Sequence, residues 1–170
     1  MSDRGSERSG GDGGDATDAD AAAASPRFLL DVMLGKLATY LRMCGYDTAY
    51  ALDHGIEADD VIHDLAGAED RTLLTRDEQL AQRTDGALLL TEREVEGQLR
   101  ELRDAGVALS LPEQPARCAA CNGRVGAVDA GGERPEHVPD GVQPYRCRDC
   151  GQWFWKGSHW ADVRETLAAL

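Results

Sequence analysis

Residues 73–78 read LLTRDE, and residues 89–94 read LLTERE. In both stretches a pair of leucines is followed by a threonine and then by acidic residues. A short apolar run predicts a buried strand, and the pairs Thr75–Glu78 and Thr91–Glu94 fit the S/T-x-x-E capping box that opens many helices. Each stretch therefore predicts a strand that leads directly into a helix.

Strands and helices are predicted to alternate over the whole segment around these two stretches. Working outward, strands are predicted in RFLLD (27–31), at residues 47–50, in RTLL (71–74) and in ALLL (87–90), and apolar residues at helical spacing follow each of them. Because strands that alternate with helices form parallel sheets covered on both faces, this pattern predicts an α/β domain with a central parallel sheet. Functional sites of such sheets lie at the carboxyl ends of the strands, near a topological switch point.

Acidic residues follow three of these predicted strands. Asp31 comes after FLL, Asp77 comes just after TLL, and Glu92 comes just after LLL. Neighbouring parallel strands lie about 4.8 Å apart, so carboxylates at this edge would come within reach of one metal ion. Clustered carboxylates repel one another unless a cation lies among them, and oxygen ligands favour Mg²⁺ or Mn²⁺. Taken singly, an acid here also fits a simpler role as a favourable charge at a helix N-terminus.

The charge balance bears on the partner and on the source of the protein. The formal net charge is -13, and arginine supplies nearly all of the positive charge because only Lys36 and Lys156 are lysines. Such acidity ordinarily argues against a nucleic-acid partner, since phosphates are bound by cations. An acidic, lysine-poor surface also keeps proteins soluble in molar salt, where charges are screened beyond about 3 Å. We hypothesise a halophilic source, which stability measured against salt concentration tests.

The N-terminal residues and the hydropathy of the chain indicate where the protein is located in the cell. Residues 1–25 contain no aromatic or branched aliphatic residue and are dominated by Gly, Ser, Asp and Ala, which predicts a disordered acidic tail. No apolar run approaches the roughly 18 residues of a membrane span, and the tail lacks the features of a secretory signal. We therefore expect a soluble, cytoplasmic protein that does not bind membranes.

Four of the five cysteines form two C-x-x-C pairs, Cys118 with Cys121 and Cys147 with Cys150. Two such pairs are typical of a zinc ribbon, in which four thiolates complete a tetrahedral shell with no open position. Disulfides are the alternative, but they are rare in cytosolic proteins. The sequence therefore predicts a structural Zn²⁺ site. Cys44 stands alone on an apolar helix, as a small buried hydrophobe does.

The segment WFWKGSHW, residues 153–160, follows the second cysteine pair. Its four aromatic residues are interleaved with Lys156 and His159, a combination that favours a platform for stacking bases and contacting phosphates. The alternative is that the aromatic residues pack against the neighbouring domain, because a ribbon has little core of its own. We expect packing for at least two of the four, and His159 fits either role.

Several separated motifs together resemble one known family. They are FLLDVMLGKLATYLRMCGYDT, EDRTLLTRDEQL, RCAACNG, the dipeptide VP at 138–139, and CGQWFWKGSHW. In this order they resemble the Mut-seven C-terminal RNase domain family, a branch of the PIN-like nucleases fused to a C-terminal zinc ribbon. The resemblance covers the chain from about residue 27 to its end.

The resemblance implies a fold and a domain organisation. The fold is a PIN-like three-layer α/β/α sandwich with a central parallel sheet, followed by a zinc ribbon. Outside the tail, it implies a nuclease domain over residues 26–112 and a ribbon with a C-terminal helix over residues 113–170. It also implies metal-dependent hydrolysis of RNA phosphodiester bonds, with Mg²⁺ or Mn²⁺ as the catalytic cofactor and Zn²⁺ as the structural one.

The resemblance also implies site residues in this sequence. The catalytic acids that would bind Mg²⁺ or Mn²⁺ are Asp31, Asp59 and Asp77, with Asp60 as an alternative to Asp59. The fourth acid of a PIN-like site would be Glu92 or its neighbour Glu94. The predicted contacts to single-stranded RNA are Lys36, Arg42, Arg76, Lys156 and His159.

Two other functions are compatible with the sequence. One is a non-catalytic RNA-binding or ribosome-associated zinc-ribbon adaptor, in which the acids are only helix caps and surface charge. The other is the toxin of a toxin–antitoxin pair, which the fused ribbon makes less natural. Cleavage of RNA separates the nuclease from the adaptor.

Overall fold

A computed structural model describes residues 25–129 and 134–170, so the predicted tail lies outside the described residues except for its last residue. The first part contains four strands and four α-helices, and a short 3-10 turn follows the second strand. The elements are β1 (Phe28–Leu30), α1 (Gly35–Met43), β2 (Thr48–Tyr50), the 3-10 turn (Ala51–His54), α2 (Asp59–Ala68), β3 (Thr72–Thr75), α3 (Glu78–Arg83), β4 (Leu88–Leu89) and α4 (Val95–Asp104).

The four strands form a parallel sheet in the order β2-β1-β3-β4. Leu30 at the end of β1 is paired with Tyr50 on one side and with Leu74 on the other. The chain first moves from β1 outward to β2 and then crosses back to β3 on the far side of β1. The topological switch point therefore lies between the carboxyl ends of β1 and β3.

Helices cover both faces of the sheet, because successive strand residues point to opposite sides. Leu30 and Leu74 pack in one core cluster with residues of α1 and α4, whereas Leu29 and Leu73 pack in a second cluster with residues of α2 and α3. These four leucines are fully buried, and each contributes about 1.5–3 kcal/mol. The predicted α/β/α layering around a parallel sheet is confirmed.

The capping box predicted at Thr75 and Glu78 is wrong. Helix α3 begins at Glu78 with Asp77 as its N-cap, and the Asp77 carboxylate accepts a hydrogen bond from the Leu80 amide at 2.8 Å. Thr75 is the last residue of β3, and its hydroxyl donates a hydrogen bond to the carboxylate of Asp31, which follows the neighbouring strand β1. The helix start is therefore fixed by the aspartate and not by the threonine.

The second predicted box, at Thr91 and Glu94, is also wrong. The N-cap of α4 is Glu94, and no side chain caps this helix. The Thr91 hydroxyl and amide both donate to the carboxylate of Glu101, at 2.5 and 2.9 Å. Glu101 lies about two turns into α4. Thr91 is therefore paired with Glu101 and not with Glu94, the residue that the capping box predicted.

The second part of the chain carries the cysteine pairs. Strands β5 (Val125–Ala127), β6 (Tyr145–Cys147) and β7 (Trp153–Phe154) form an antiparallel sheet in that order, and α5 (Ser158–Ala168) follows. We call the three-stranded sheet with its two C-x-x-C turns the ribbon. Helix α5 packs on α1 through a cluster of Met43, Trp160 and Val163. Among the described residues, no helix has both the length and the apolar character that crossing a membrane requires.

Arg42, predicted to contact RNA, is instead buried where α1 meets the ribbon. Its side chain is only 4% exposed. Its Nε donates to the carbonyl of Thr48 at 2.9 Å, and one terminal nitrogen donates to the Asp53 carboxylate at 2.7 Å. The other terminal nitrogen donates to the carbonyls of Ala119 (3.2 Å) and Ala120 (3.0 Å). With its donors so occupied, Arg42 joins the ribbon to α1, and we exclude it from the RNA contacts proposed below.

Asp47 makes a second connection between the ribbon and the sheet. Its carboxylate accepts hydrogen bonds from Arg71 at 2.9 Å and from the Asn122 amide at 2.8 Å, and Arg117 lies 3.5 Å away. Asn122 belongs to the ribbon, and its Oδ1 also accepts from the backbone N–H of Thr48 on edge strand β2 at 2.9 Å. One carboxylate thus holds groups from both parts of the chain together.

The charge of Asp47 gives this connection a defined pH dependence. Burial alone would raise the pKa of the carboxyl, but hydrogen bonds from Arg71 and Asn122 and the charges of Arg71 and Arg117 outweigh it and hold the pKa well below its usual range. A carboxyl whose pKa is lowered by folding stabilises the fold above its unfolded pKa of about 3.9. That stability is lost as the pH falls through the lower folded value.

We therefore predict that Asp47→Asn lowers the free energy of unfolding by about 1.5–3 kcal/mol at neutral pH, because the hydrogen bonds that its carboxylate accepts from Arg27, Arg71 and Asn122 are weakened. The difference from wild type should shrink progressively below about pH 4. Denaturant unfolding at several pH values measures both effects. Asp60→Asn is the matched control, because its carboxylate is 88% exposed and should change stability by under about 1 kcal/mol. A difference that stays constant down to the most acidic pH would contradict the assignment.

Candidate functional site

Asp31 lies at the switch point, directly after the last residue of β1. It is buried, with 4% of its surface exposed, and its backbone N–H donates to the carbonyl of Leu74 on β3 at 3.1 Å. This bond continues the ladder between β1 and β3 by one residue, so the position of Asp31 is fixed by the sheet itself. A carboxylate is thereby held at the carboxyl edge where parallel sheets place their sites.

The hydroxyl of Thr75 links Asp31 to Asp77. It donates to Oδ2 of Asp31 at 2.7 Å and accepts a hydrogen bond from the backbone N–H of Asp77 at 3.0 Å. Oδ1 of Asp31 accepts from the backbone N–H of Val32 at 2.5 Å. A carboxylate oxygen has two acceptor positions, so each oxygen of Asp31 keeps one for another donor or for a cation. Two acids that lie far apart in sequence are thus joined through one fully buried hydroxyl.

Tyr50 closes one side of this edge. Its hydroxyl donates to the carbonyl of Val32 at 2.7 Å, and a Cβ atom at Gly35 would lie 3.1 Å from the same hydroxyl. The tyrosine therefore packs closely over the glycine that opens α1. Burial, followed by the negative charges of Asp53 and Asp31, raises the pKa of Tyr50, so the phenol stays neutral beside the acids.

The structure places the other predicted acids on the surface. Asp59 is exposed at the start of α2, which returns from the carboxyl side of β2 to the start of β3, and Asp60 forms an exposed ion pair with Arg83 at 2.6 Å. Glu92 is exposed and lies against α4, where a Cβ atom on Gly97 would come within 2.7 Å of its side chain. Within the described residues, only the four ribbon cysteines form a group of three or more metal-ligating side chains within 4.8 Å.

Apart from Arg42, which is buried where α1 meets the ribbon, the predicted RNA contacts lie in three places. Lys36 is exposed on the first turn of α1, and Arg76 is half-buried between Thr75 and Asp77. The Nε of Arg76 is buried and has no hydrogen-bond partner among the described residues. Both cations therefore belong to segments that adjoin Asp31 or Asp77 in the chain.

The remaining two predicted contacts lie between the ribbon and α5. Lys156 donates to the carbonyl of Glu113, and its ammonium group is 5.8 Å from the centre of the Trp160 ring. His159 is exposed beside a cavity of about 230 Å³ that Phe154 and Trp155 also line. Trp160 is 7% exposed and packs on α1, as the packing alternative predicts for some of these aromatic residues.

The four cysteines of the ribbon converge on one point. The Sγ atoms of Cys118 and Cys150 are 3.7 Å apart, those of Cys121 and Cys147 are 3.6 Å apart, and all four lie within 4.8 Å of one another. A tetrahedral zinc site with Zn–S bonds of about 2.3 Å has sulfur–sulfur separations of about 3.8 Å. None of these cysteines forms a disulfide. The donor set and its spacing therefore fit Zn²⁺ in a closed, four-sulfur shell.

The two C-x-x-C turns repeat one backbone geometry. The residue after the second cysteine has a positive φ in each turn, +66° at Asn122 and +76° at Gly151. The backbone N–H of the first cysteine donates to the carbonyl of the residue that follows this positive-φ position. Cys118 donates to Gly123 and Cys147 donates to Gln152, both at 2.8 Å. Asn and Gly tolerate this left-handed conformation better than other residues, which explains their presence after the cysteines.

The thiols differ in acidity when they hold no metal. Burial raises the pKa of Cys118 to about 12 and also raises the pKa of Cys121. For Cys147, backbone hydrogen bonds from Cys150 and Asp149 outweigh burial and lower the pKa to about 7. Because Zn²⁺ binds thiolates, metal uptake by this set must release protons.

A family model described as the Mut7-C RNAse domain matches residues 26–167, which is most of the chain. The chain belongs to the Mut7-C RNase domain family. No curated protein and no solved structure matches it. Membership in a family of RNase domains indicates a nuclease-type function with RNA as the substrate, in agreement with the resemblance found in the sequence.

Two residues of this edge were not among the sequence-based candidates. Thr75 was assigned to a capping box, although a threonine at the end of a buried strand beside an acidic strand end is also suited to bridge the two. Tyr50 ends the edge strand next to β1, so strand order was needed to place it beside Asp31. Both follow from the pairing of strands and not from local spacing.

We predict that Thr75→Val lowers the free energy of unfolding of the Mut7-C domain by about 1–3 kcal/mol, because a buried oxygen of Asp31 and the amide of Asp77 each lose a partner. Thr75→Ser should restore most of this loss, because it keeps the hydroxyl. Thermal unfolding measures the effect. Equal stability of the valine and serine variants would show that the hydroxyl does not hold the two acids.

Proposed function

We propose that this Mut7-C domain is a PIN-like, metal-dependent ribonuclease that hydrolyses phosphodiester bonds of single-stranded RNA at the edge between β1 and β3. The hydrogen-bonded series Asp31, Thr75 and Asp77 carries the proposal. It holds two acids at the switch point of a parallel sheet, the position at which such sheets bind their ligands.

The acids supply the negative charge and the oxygen ligands that the chemistry needs. Asp31 retains free acceptor positions on both carboxylate oxygens, and Asp77 uses only Oδ1 to cap α3. Asp59 would complete the set from the exposed start of α2, with Glu92 as a fourth acid on the β4 side. Oxygen donors of this kind fit Mg²⁺ or Mn²⁺. Such an ion, when bound, lowers the pKa of a water molecule and stabilises charge on the phosphate.

The other residues of the edge would position the RNA. Lys36 and Arg76 are the cations in segments next to the acids, and each would hold a backbone phosphate. In the hydrolysis the water oxygen bonds to phosphorus while the bond from phosphorus to the leaving sugar oxygen breaks. The water gives up a proton to solvent, and the leaving oxygen takes one up.

The ribbon would serve RNA binding and not the chemistry, because its four-sulfur shell leaves no open position for a substrate. We propose the division of the chain that was predicted from the sequence: a nuclease domain over residues 26–112 and a ribbon with a C-terminal helix over residues 113–170. A cytoplasmic location and a halophilic source stay predictions.

Cleavage of a labelled single-stranded RNA by the full chain in Mn²⁺ tests the proposal. We expect cleavage that stops when EDTA is added and that recovers when Mn²⁺ is restored in excess. The adaptor is the alternative, and one observation favours it: among the described residues, no three acidic side chains lie close enough together to form a metal-ligating group. RNA binding without any cleavage in Mn²⁺ or Mg²⁺ would overturn the nuclease proposal in favour of the adaptor.

A further inference from the structure

One face of the ribbon sheet carries a row of arginines. The segment YRCRDC, residues 145–150, begins with β6, and in it Tyr145 and Cys147 are buried whereas Arg146 and Arg148, directly after the strand, are exposed. This alternation follows from the two-residue period of a strand, which sends successive side chains to opposite faces. The cysteine that is needed for the metal shell thus directs both neighbouring arginines outward.

Strand pairing adds two more residues to the same face. Arg146 is paired with Gly126 of β5 on one side and with Trp153 of β7 on the other. Arg124 lies two residues before Gly126, and its carbonyl accepts from the backbone N–H of Arg148 at 2.9 Å. We call the residues Arg124, Arg146, Arg148 and Trp153 the arginine face.

The guanidinium groups of the arginine face lie next to Trp153 and over Gly126. The guanidinium of Arg146 lies 5.5 Å from the centre of the Trp153 ring, within the range of a cation–π contact. Gly126 has no side chain, and a Cβ atom there would lie 3.5 Å from a terminal nitrogen of Arg148. The guanidinium of Arg148 therefore lies over Gly126, on the same face of the sheet as Arg146. A shallow cavity of about 650 Å³ is lined by Gly126, Arg146 and Arg148.

The arginines of this face lack the acidic partners that other arginines of the chain have. Arg42, Arg71 and Arg83 each have a carboxylate oxygen within 3.0 Å. Within residues 25–129 and 134–170, no carboxylate lies within 4.0 Å of the guanidinium of Arg124, Arg146 or Arg148. Asp149 also lines the cavity, but its carboxylate is directed at Gly123, where a Cβ atom would lie 2.5 Å from it.

We propose that the arginine face binds the phosphates of single-stranded RNA, with Trp153 stacking on a base. The argument is charge complementarity: in a chain of net charge -13, three neighbouring arginines without acids form a site for a polyanion. An indole next to guanidinium groups is the combination that binds unpaired nucleotides. The inference rests on the proposed function, because it names the surface that holds the RNA that the nuclease domain cuts.

The position of the ribbon gives this surface a role distinct from the catalytic edge. Helix α1 begins beside the acids and ends at Met43, which packs against α5 next to the ribbon. Its nine residues span about 14 Å at 1.5 Å per residue. RNA held on the arginine face is therefore bound away from the acids, and a longer strand can occupy both places while a very short one cannot.

Binding of a fluorescein-labelled oligouridylate to the full chain tests the proposal. Both proteins carry Asp31→Asn to prevent cleavage, and one also carries Arg124→Gln and Arg148→Gln, which break no side-chain hydrogen bond among the described residues. We expect affinity to fall about tenfold and the salt dependence, as the slope of log K against log salt, to fall by about 1.4 for two lost phosphate contacts. A duplex of the same length should bind the unsubstituted face more weakly than the single strand does, because paired bases do not stack on Trp153.

The matched control replaces the exposed arginines Arg103 and Arg164, giving the same change in net charge away from this face. Arg124→Lys with Arg148→Lys should retain most of the binding, which separates lost charge from lost folding. Unchanged affinity and salt slope in the glutamine variant, or an equal loss in the control, would overturn this inference and leave the nuclease proposal intact. Loss of binding in that variant, together with a wild-type protein that never cleaves RNA, would support the face and overturn the nuclease.

Discussion

An Asp31→Asn variant of the full chain is expected to cleave single-stranded RNA about a thousandfold more slowly than wild type while binding it within about twofold. Asparagine has the size of aspartate and keeps one acceptor oxygen for Thr75 or for Val32, so the volume of the edge is kept while one of the two hydrogen bonds is lost. The negative charge that would retain a divalent cation is removed. Initial rates in Mn²⁺, together with fluorescence anisotropy of the same RNA, measure the two quantities separately.

Asp77→Asn provides a second and independent form of this test. Asparagine is as good an N-cap as aspartate, so α3 should begin at the same residue and the protein should keep its stability. The expected loss of cleavage is similar, because Asp77 and Asp31 are held by the same hydroxyl. Asp64→Asn, an exposed position on α2, is the control with the same change in charge. Full activity in both edge variants would contradict the proposed site.

Loss of zinc is expected to unfold the ribbon. Zinc binding by four thiolates contributes about 10–16 kcal/mol in small zinc domains, which exceeds the stability of most domains. Cys118→Ser should therefore abolish zinc binding and remove exchange protection from the amides of β5 and β6. Zinc content and hydrogen exchange read by mass spectrometry measure these outcomes.

The structure adds an effect on the sheet domain that the cysteine pattern alone does not predict. Without a folded first C-x-x-C turn, Arg42 loses the carbonyls of Ala119 and Ala120 and Asp47 loses the Asn122 amide. We expect the sheet to stay folded but to melt about 5–10 °C lower. Cys44→Ser is the matched control, because Cys44 lies outside the metal shell. A zinc-free variant with unchanged exchange in β5 and β6 would contradict this account.

The sequence predicted the elements of the sheet domain well because each carries its own periodic signal. The runs around Leu29, Leu73 and Leu89 are short and apolar, and the helices between them show apolar residues at three- and four-residue spacing. The cysteine shell was equally predictable, because two C-x-x-C pairs leave few other arrangements. Acids after β1 and β3 could be assigned to one edge because parallel strands end on the same side.

The predictions that were wrong all involve partners distant in sequence. Thr75 fits a capping box locally, but Asp31 lies 44 residues away and accepts its hydroxyl. Arg42 was predicted to hold an RNA phosphate, but its carbonyl partners at Ala119 and Ala120 lie 77 and 78 residues further along the chain. Local spacing cannot reveal these contacts. The arginine face was within reach, because the alternation in YRCRDC, with cysteine inward, places Arg146 and Arg148 on one side.

The side chain of Asn122 occupies one backbone donor on the open side of β2, because it accepts the Thr48 N–H, which no neighbouring strand uses. A strand whose backbone groups are uncovered is a template for pairing with another chain. A molecule that loses its zinc would therefore expose the edge strand β2 of a sheet that is otherwise still folded. We therefore expect protein prepared without zinc to aggregate more readily than zinc-loaded protein, in addition to losing the fold of the ribbon.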